Sequence, residues 1–116
     1  MNGSDLPDDN PKTAYGAAKV PLHLLPPAAL EAEAWVMGLG AEKYGPWNWR
    51  GQRVSTSVYV GAAMRHLQAY WSGVTLDSES GQSHLAHVRA CMGILLDAAE
   101  QDMLNDDRPP TGSRLL

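Results

Sequence analysis

The sequence predicts an all-α chain. Three stretches carry apolar residues at helical spacing, glycine or Gly-Pro breaks separate them, and no stretch gives a convincing strand alternation. With 116 residues, the chain is expected to form one domain, residues 1–116, with a single core.

Residues 1–12, rich in Asp, Asn, Gly and Pro, read as a mobile arm. Residues 13–26 follow as an irregular lead-in, neither strand nor helix. Pro27 suits the first turn of a helix, where its missing N–H is not needed. Leu30, Ala34, Met37 and Ala41 then recur at helical spacing, predicting a helix over about 27–43 that Gly45-Pro46 ends. After a polar linker through Gly51 and Arg53, Ser55 or Ser57 can cap a second helix running to about Trp71. Val60, Met64, Leu67 and Trp71 form its apolar stripe. Gly73 closes it. Residues 74–82 read as an acceptor-rich loop, and a third helix covers about 83–103 with Leu85, Val88, Met92, Leu95 and Leu96 as its stripe. Residues 105–116 read as a tail. Three such helices bury a thin core. Ala86, Ala90 and Gly93 form a small-residue strip that another helix can approach closely, so the fold is expected to be completed by a dimer or a higher homo-oligomer.

Charge and composition narrow the function classes. The formal net charge of −4 argues against a nucleic-acid binder, so any basic site must be local. The single cysteine, Cys91, cannot form an intramolecular disulfide and fits a reduced, cytoplasmic setting. No apolar run reaches the length of a membrane span, and the polar start lacks a signal core.

Chemistry-bearing residues gather in two places. The first is R-H at 65–66, the loop with Asp77 and Glu79, and H-L-A-H at 84–87. His84 and His87 share a helix face, and the two carboxylates precede that helix, where they can meet its positive end or hold a cation. One reading is a metal or proton-transfer site; the other is that a carboxylate merely caps the helix and the histidines pair with carboxylates. Glu31 and Glu42 lie ~16 Å apart along a helix and cannot share an ion, although Glu42 stands beside the aromatic turn. Asp97, ~15 Å along its helix from His87, better suits a salt bridge or a subunit contact.

The second place is K-Y-G-P-W-N-W-R at 43–50. Lys43 and Arg50 can neutralise phosphate, Tyr44, Trp47 and Trp49 can stack on a base, and Asn48 can bond a base edge or ribose. One or two of the aromatics are expected to plug the end of the core instead.

These stretches, together with N-P-K at 10–12, Lys19, the P-P at 26–27 and N-D-D-R-P at 105–109, resemble the phage and prophage dATP/dGTP diphosphohydrolase family, a branch of the MazG-like all-α nucleotide pyrophosphohydrolases. The resemblance spans about residues 10–110. It implies metal-dependent cleavage of a purine deoxynucleoside triphosphate between the α and β phosphates, giving the monophosphate and pyrophosphate. In phages that replace adenine with 2-aminoadenine, it implies a supply of dGMP. Asp77 and Glu79 then become catalytic metal ligands, with Glu42, His84 and His87, for Mg²⁺ or Mn²⁺. Lys12, Lys19, Lys43, Arg50 and Arg65 face the phosphates, with Lys43 catalytic, and the arm with Asn10 folds over the nucleotide. Two features depart from the pattern: Val74 stands after Gly73 where relatives commonly carry an acid, and the E-x-x-E … E-x-x-D signature of the wider group is absent. A non-catalytic nucleotide sensor is the alternative that Val74 favours. A nucleic-acid accessory protein is disfavoured by charge.

Overall fold

A computed structural model describes residues 6–110. Among them the fold is helical: α1 (Pro11–Ala17), α2 (Pro27–Tyr44), α3 (Thr56–Trp71) and α4 (His84–Glu100), with two-residue strands β1 (Val54–Ser55) and β2 (Leu104–Asn105). The three long helices fall where apolar periodicity places them, except that α4 stops at Glu100 rather than near 103.

The lead-in departs from expectation. Pro11–Ala17 is helical: the Asn10 side chain accepts from the Lys12 N–H at 2.9 Å, and Pro11 opens the first turn. Leu22–Leu24 adds a 3₁₀ turn. Apolar periodicity missed both because every residue from 6 to 28 is exposed, so no face is selected for burial. Residues 1–5 of the expected arm lie outside the described residues.

α3 and α4 form an antiparallel hairpin, and α2 packs on α4. The core is Val36 with Ala86 and Ala90, backed by Ala32 and Met37. The small-residue strip of α4 therefore receives α2, as its composition predicts. The apolar stripe of α3 behaves differently. Its buried residues are Thr56 and Ala63, whereas Val60, Met64, Leu67 and Trp71 are exposed, Trp71 at 89%; the expected stripe of α4 departs in the same way, with Leu85 and Leu96 exposed while Ala86, Ala90 and Ala98 are buried. Small residues line the seams, so the large side chains stay along the outer face. The radius of gyration is 18.9 Å, against about 13 Å for a compact chain of this length.

The predicted tail is also structured at its start. β2 pairs in parallel with β1, Val54 with Leu104 and Ser55 with Asn105. Ser55 occupies the N-cap of α3 without making a side-chain cap. Asp107 does that work from far along the chain: its carboxylate accepts from the Ser57 N–H at 2.8 Å and from the Ser57 hydroxyl. A negative group there also meets the positive end of the helix. Such pairings carry no periodic signature, and two-residue strands are too short to alternate. Residues 111–116 of the tail lie outside the described residues.

Candidate functional site

A cleft of about 1070 Å³ opens between the C-terminal half of α2, the aromatic turn, the inner face of α3, the loop before α4 and α4 itself. One wall is the stretch 43–50. Gly45, at φ 87°, ends α2 in a conformation that suits glycine and turns the chain into the cleft. Trp47 is left-handed too, at φ 58°, unusual for an aromatic residue, and its ring lies 5.5 Å from that of Trp49. Trp49 is buried and donates its indole N–H to Asp97 at 2.7 Å. Arg50 clamps the same carboxylate through Nε and Nη2, both at 2.8 Å, and its guanidinium stacks over Trp47 at 4.4 Å. These donors hold the Asp97 carboxyl down at about 2. Asp97 is thus the salt-bridge partner its position suggested, and Trp49 is the aromatic that plugs the core. Tyr44 and Trp47 remain exposed on the cleft wall, with Asn48 beside them.

The opposite end of the cleft is lined by His66 and His87, while His84 beside them does not line it. Within the loop, the Asp77 carboxylate accepts from the Ser80 N–H at 2.8 Å, Asp77 N–H donates to Gln82 O at 2.8 Å, and Gly81 turns with φ 73°. Ser83, rather than Asp77 or Glu79, caps α4, accepting from Leu85 N–H at 3.1 Å. The capping alternative for the carboxylates is therefore set aside. His84 is buried, and its Nδ1 lies 2.8 Å from Nδ1 of His66 on α3. His87 stacks on His66, rings 4.2 Å apart and nearly parallel, while its Nε2 shares a hydrogen bond with the Ser80 hydroxyl at 2.6 Å and lies 3.8 Å from Asp77. Burial pushes His66 down, and the neighbouring His87 adds to the effect; burial also pushes His87 down, against Asp77. The Ser80 N–H is the main influence holding Asp77 below the usual carboxylate range. These shifts favour neutral imidazole at His66 and His87 and an ionised carboxylate at Asp77, which are the forms that ligate metal. Among the described residues, His66, Asp77 and His84 form a group whose ligand atoms lie within 4.8 Å of one another.

The structure brings Lys43, Tyr44, Trp47, Asn48, Trp49, Asp77, Glu79 and His87 to one cleft. Glu79 stands at its rim, pairing with Lys43 at 3.0 Å between two exposed side chains. Glu42 and Arg65 are exposed and do not line the cleft, and Arg50 is committed to Asp97. Asn10, Lys12 and Lys19 sit on the exposed N-terminal segment, with Asn10 capping α1.

Two residues stood outside the ligand and binding sets assigned from the sequence. His66 belonged to the R-H pair grouped with the loop and H-L-A-H, but within that pair only Arg65 was given a role. Glu33 lines the cleft from α2 and receives Arg89 Nη2 at 3.4 Å. It fits because position 93 is glycine: a Cβ there would meet Glu33 Oε1 at 2.7 Å. A carboxylate set between Ala32 and Ala34, on the helix that packs against the small-residue strip, was the available signal.

Fold and site together define a small all-α fold with a ligand-sized cleft, aromatic at one end and rich in histidine and carboxylate at the other, with Lys43 paired to Glu79 at the rim. The family described as "dATP/dGTP diphosphohydrolase, N-terminal" matches residues 9–108, and the chain belongs to it. It is similar to a protein of Salmonella phage PMBT28 named "dATP/dGTP diphosphohydrolase", with 29% identity over 94 residues, 81% of this chain and 32% of that protein. The chain thus spans about a third of that relative's length. No solved structure matches it. No helix among the described residues is long and apolar enough to cross a membrane.

Proposed function

We propose that the chain hydrolyses a purine deoxynucleoside triphosphate to the monophosphate and pyrophosphate with Mg²⁺ or Mn²⁺, dGTP being preferred over dATP or GTP. The observation that carries this reading is one cleft joining exposed aromatic rings and a rim lysine to a histidine and carboxylate cluster. Family membership and the name of the phage relative support it.

In this reading Tyr44 or Trp47 stacks on the purine and Asn48 reads an edge of the base or the ribose. Lys43 meets the phosphates. Its pairing with Glu79 is exposed, and such pairs contribute little, so exchanging the carboxylate for a phosphate is inexpensive. Asp77 supplies a hard oxygen ligand and the histidines supply nitrogen, a donor set that fits a divalent ion. When bound, that ion neutralises phosphate charge and makes water a better nucleophile. Lys12 and Lys19 would approach the phosphates if the exposed N-terminal segment folds over the nucleotide. The 2-aminoadenine context implied by the family resemblance would give the product dGMP a use. The test is pyrophosphate release from dGTP by the wild-type chain and by Asp77→Asn, with loss of release in the variant expected. Nucleotide affinity without release in the wild type would support the second reading, a non-catalytic sensor, which Val74 in place of an acid favours.

The same reading includes a homo-oligomer, dimer or tetramer. Its support is the outer face of the α3/α4 hairpin, where Met64, Leu67, Trp71 and Leu85 border a groove of about 620 Å³. Large apolar surface of this kind on a small domain marks an interaction site, and a second copy would bury it.

A further inference from the structure

The geometry points to one nitrogen-rich metal site, with His66, His84 and Asp77 as its ligands, that selects a transition ion such as Mn²⁺, Co²⁺ or Zn²⁺ over Mg²⁺ and so narrows the hydrolase reading from Mg²⁺ or Mn²⁺ to Mn²⁺. This goes beyond the set of ligands read from the sequence: it adds His66, leaves Glu42 and Glu79 out, and gives His87 a positioning role. The inference rests on the proposed hydrolase reading for what the ion serves; the ligand set rests on the geometry.

The distance between the two imidazoles is the first argument. His66 Nδ1 and His84 Nδ1 lie 2.8 Å apart. Two nitrogens each ~2.1 Å from one ion would stand ~3.0 Å apart at a right angle and ~3.4 Å apart in a tetrahedron. The observed spacing therefore suits neighbouring positions of a six-coordinate ion. Asp77 completes a cluster whose ligand atoms all fall within 4.8 Å, so small side-chain adjustments bring all three to one centre.

The surroundings are built for orientation. His66 comes from α3 and His84 from the first turn of α4, and the two rings are tilted by 47°. His87 lies flat against His66 with an interplanar angle of 5°, and Ser80 holds the far nitrogen of His87. Ser80 also donates its backbone N–H to Asp77. One serine thus ties the carboxylate ligand to the residue that sets the plane of His66. Outer partners of this kind fix ligand orientation and tune affinity.

Ligand chemistry decides the ion. Mg²⁺ favours oxygen and retains its waters, whereas two imidazoles with one carboxylate suit the borderline transition metals. Glu79 pairs with Lys43 at the rim, and Glu42 is exposed away from the cleft. Neither joins the cluster.

The test is a calorimetric Co²⁺ titration of the full chain, with Zn²⁺, Mn²⁺ and Mg²⁺ as competitors. The expected result is one equivalent bound per chain, displaced by Zn²⁺ and resistant to a large excess of Mg²⁺. His66→Ala and Asp77→Asn should weaken binding by on the order of a hundredfold, and Ser80→Ala by about tenfold. Glu42→Gln should leave it unchanged. His66 is only partly buried, so its variant serves even if a variant of the buried His84 fails to fold; circular dichroism checks each protein. Absence of a one-equivalent Co²⁺ binding step, equal affinity in His66→Ala, or ready displacement by Mg²⁺ would overturn the site and leave the short contact as an ordinary histidine–histidine hydrogen bond. Metal binding and nucleotide turnover are read separately. Tight Co²⁺ without hydrolysis of any nucleotide keeps the site and removes the hydrolase reading; Mg²⁺-dependent hydrolysis without a Co²⁺ site does the reverse.

Discussion

Trp49→Ala should unfold the aromatic wall of the cleft, and the cost can be worked from the structure. Trp49 is 6% exposed, and truncating a buried indole to alanine costs about 3–5 kcal/mol through lost burial and the cavity left behind. A domain of this size has about 5–15 kcal/mol in total, so the loss is a large share. Trp49→Phe separates packing from polarity. It keeps most of the ring but removes the N–H donated to Asp97 at 2.7 Å, so its cost isolates that bond and should be smaller than that of Trp49→Ala. Urea unfolding followed by the helical circular dichroism signal measures both. Because Asp97 also clamps Arg50, which stacks on Trp47, both variants should loosen Trp47, visible as a shift in tryptophan fluorescence. The reasoning fails if Trp49→Ala costs less than about 1 kcal/mol, since a buried aromatic anchor cannot be removed so cheaply.

The Asp97 carboxyl, held at about 2, contributes stability that is complete above the ordinary carboxylate range and is lost as the pH falls through that value. Wild type minus Asp97→Asn in acid unfolding should therefore show a gap that closes only at the acid end; a gap independent of pH would contradict this. Asp107→Ala should lower the urea midpoint by removing the acceptor for the Ser57 N–H, and proton exchange at Ser57 should quicken; an unchanged midpoint would mean that the segment after β2 does not hold α3. Trp71→Asp should shift the chain to a smaller species in sedimentation while preserving helicity, whereas an unchanged assembly would remove the outer face of the hairpin as the interface. Lys43→Ala should raise KM for a nucleoside triphosphate by about tenfold or more, since it removes a positive charge facing phosphate; equal KM would take Lys43 out of the site.

The long helices were legible because apolar residues recur along them at helical spacing and because Pro27, Gly45-Pro46 and Gly73 punctuate them. Their packing was less so. Periodicity identifies a large apolar stripe but not what it meets, and on α3 the stripe of Val60, Met64, Leu67 and Trp71 faces outward while Thr56 and Ala63 are buried. α1 escaped because an exposed helix has no apolar face to find, although Asn10-Pro11 carried its start signal. At the site, the spacing of His84 and His87 on one helix placed both near a shared centre. The R-H pair was grouped with them from the sequence, but His66 could be given its role only once its ring was seen against His84 and His87. Glu33 needed the same knowledge of α2 against Gly93. Asp97 was legible for a simple reason: its distance along the helix excluded it from the histidine end.

The most direct measurement of the central claim is a chromatographic product assay with purified protein and each of dGTP, dATP, GTP, dCTP and dTTP, run with Mg²⁺, with Mn²⁺ and with chelator. The account predicts monophosphate and pyrophosphate from a purine deoxynucleotide, dGTP first, only when metal is present. No turnover with any nucleotide and either metal, or release of single phosphates in place of pyrophosphate, would contradict it.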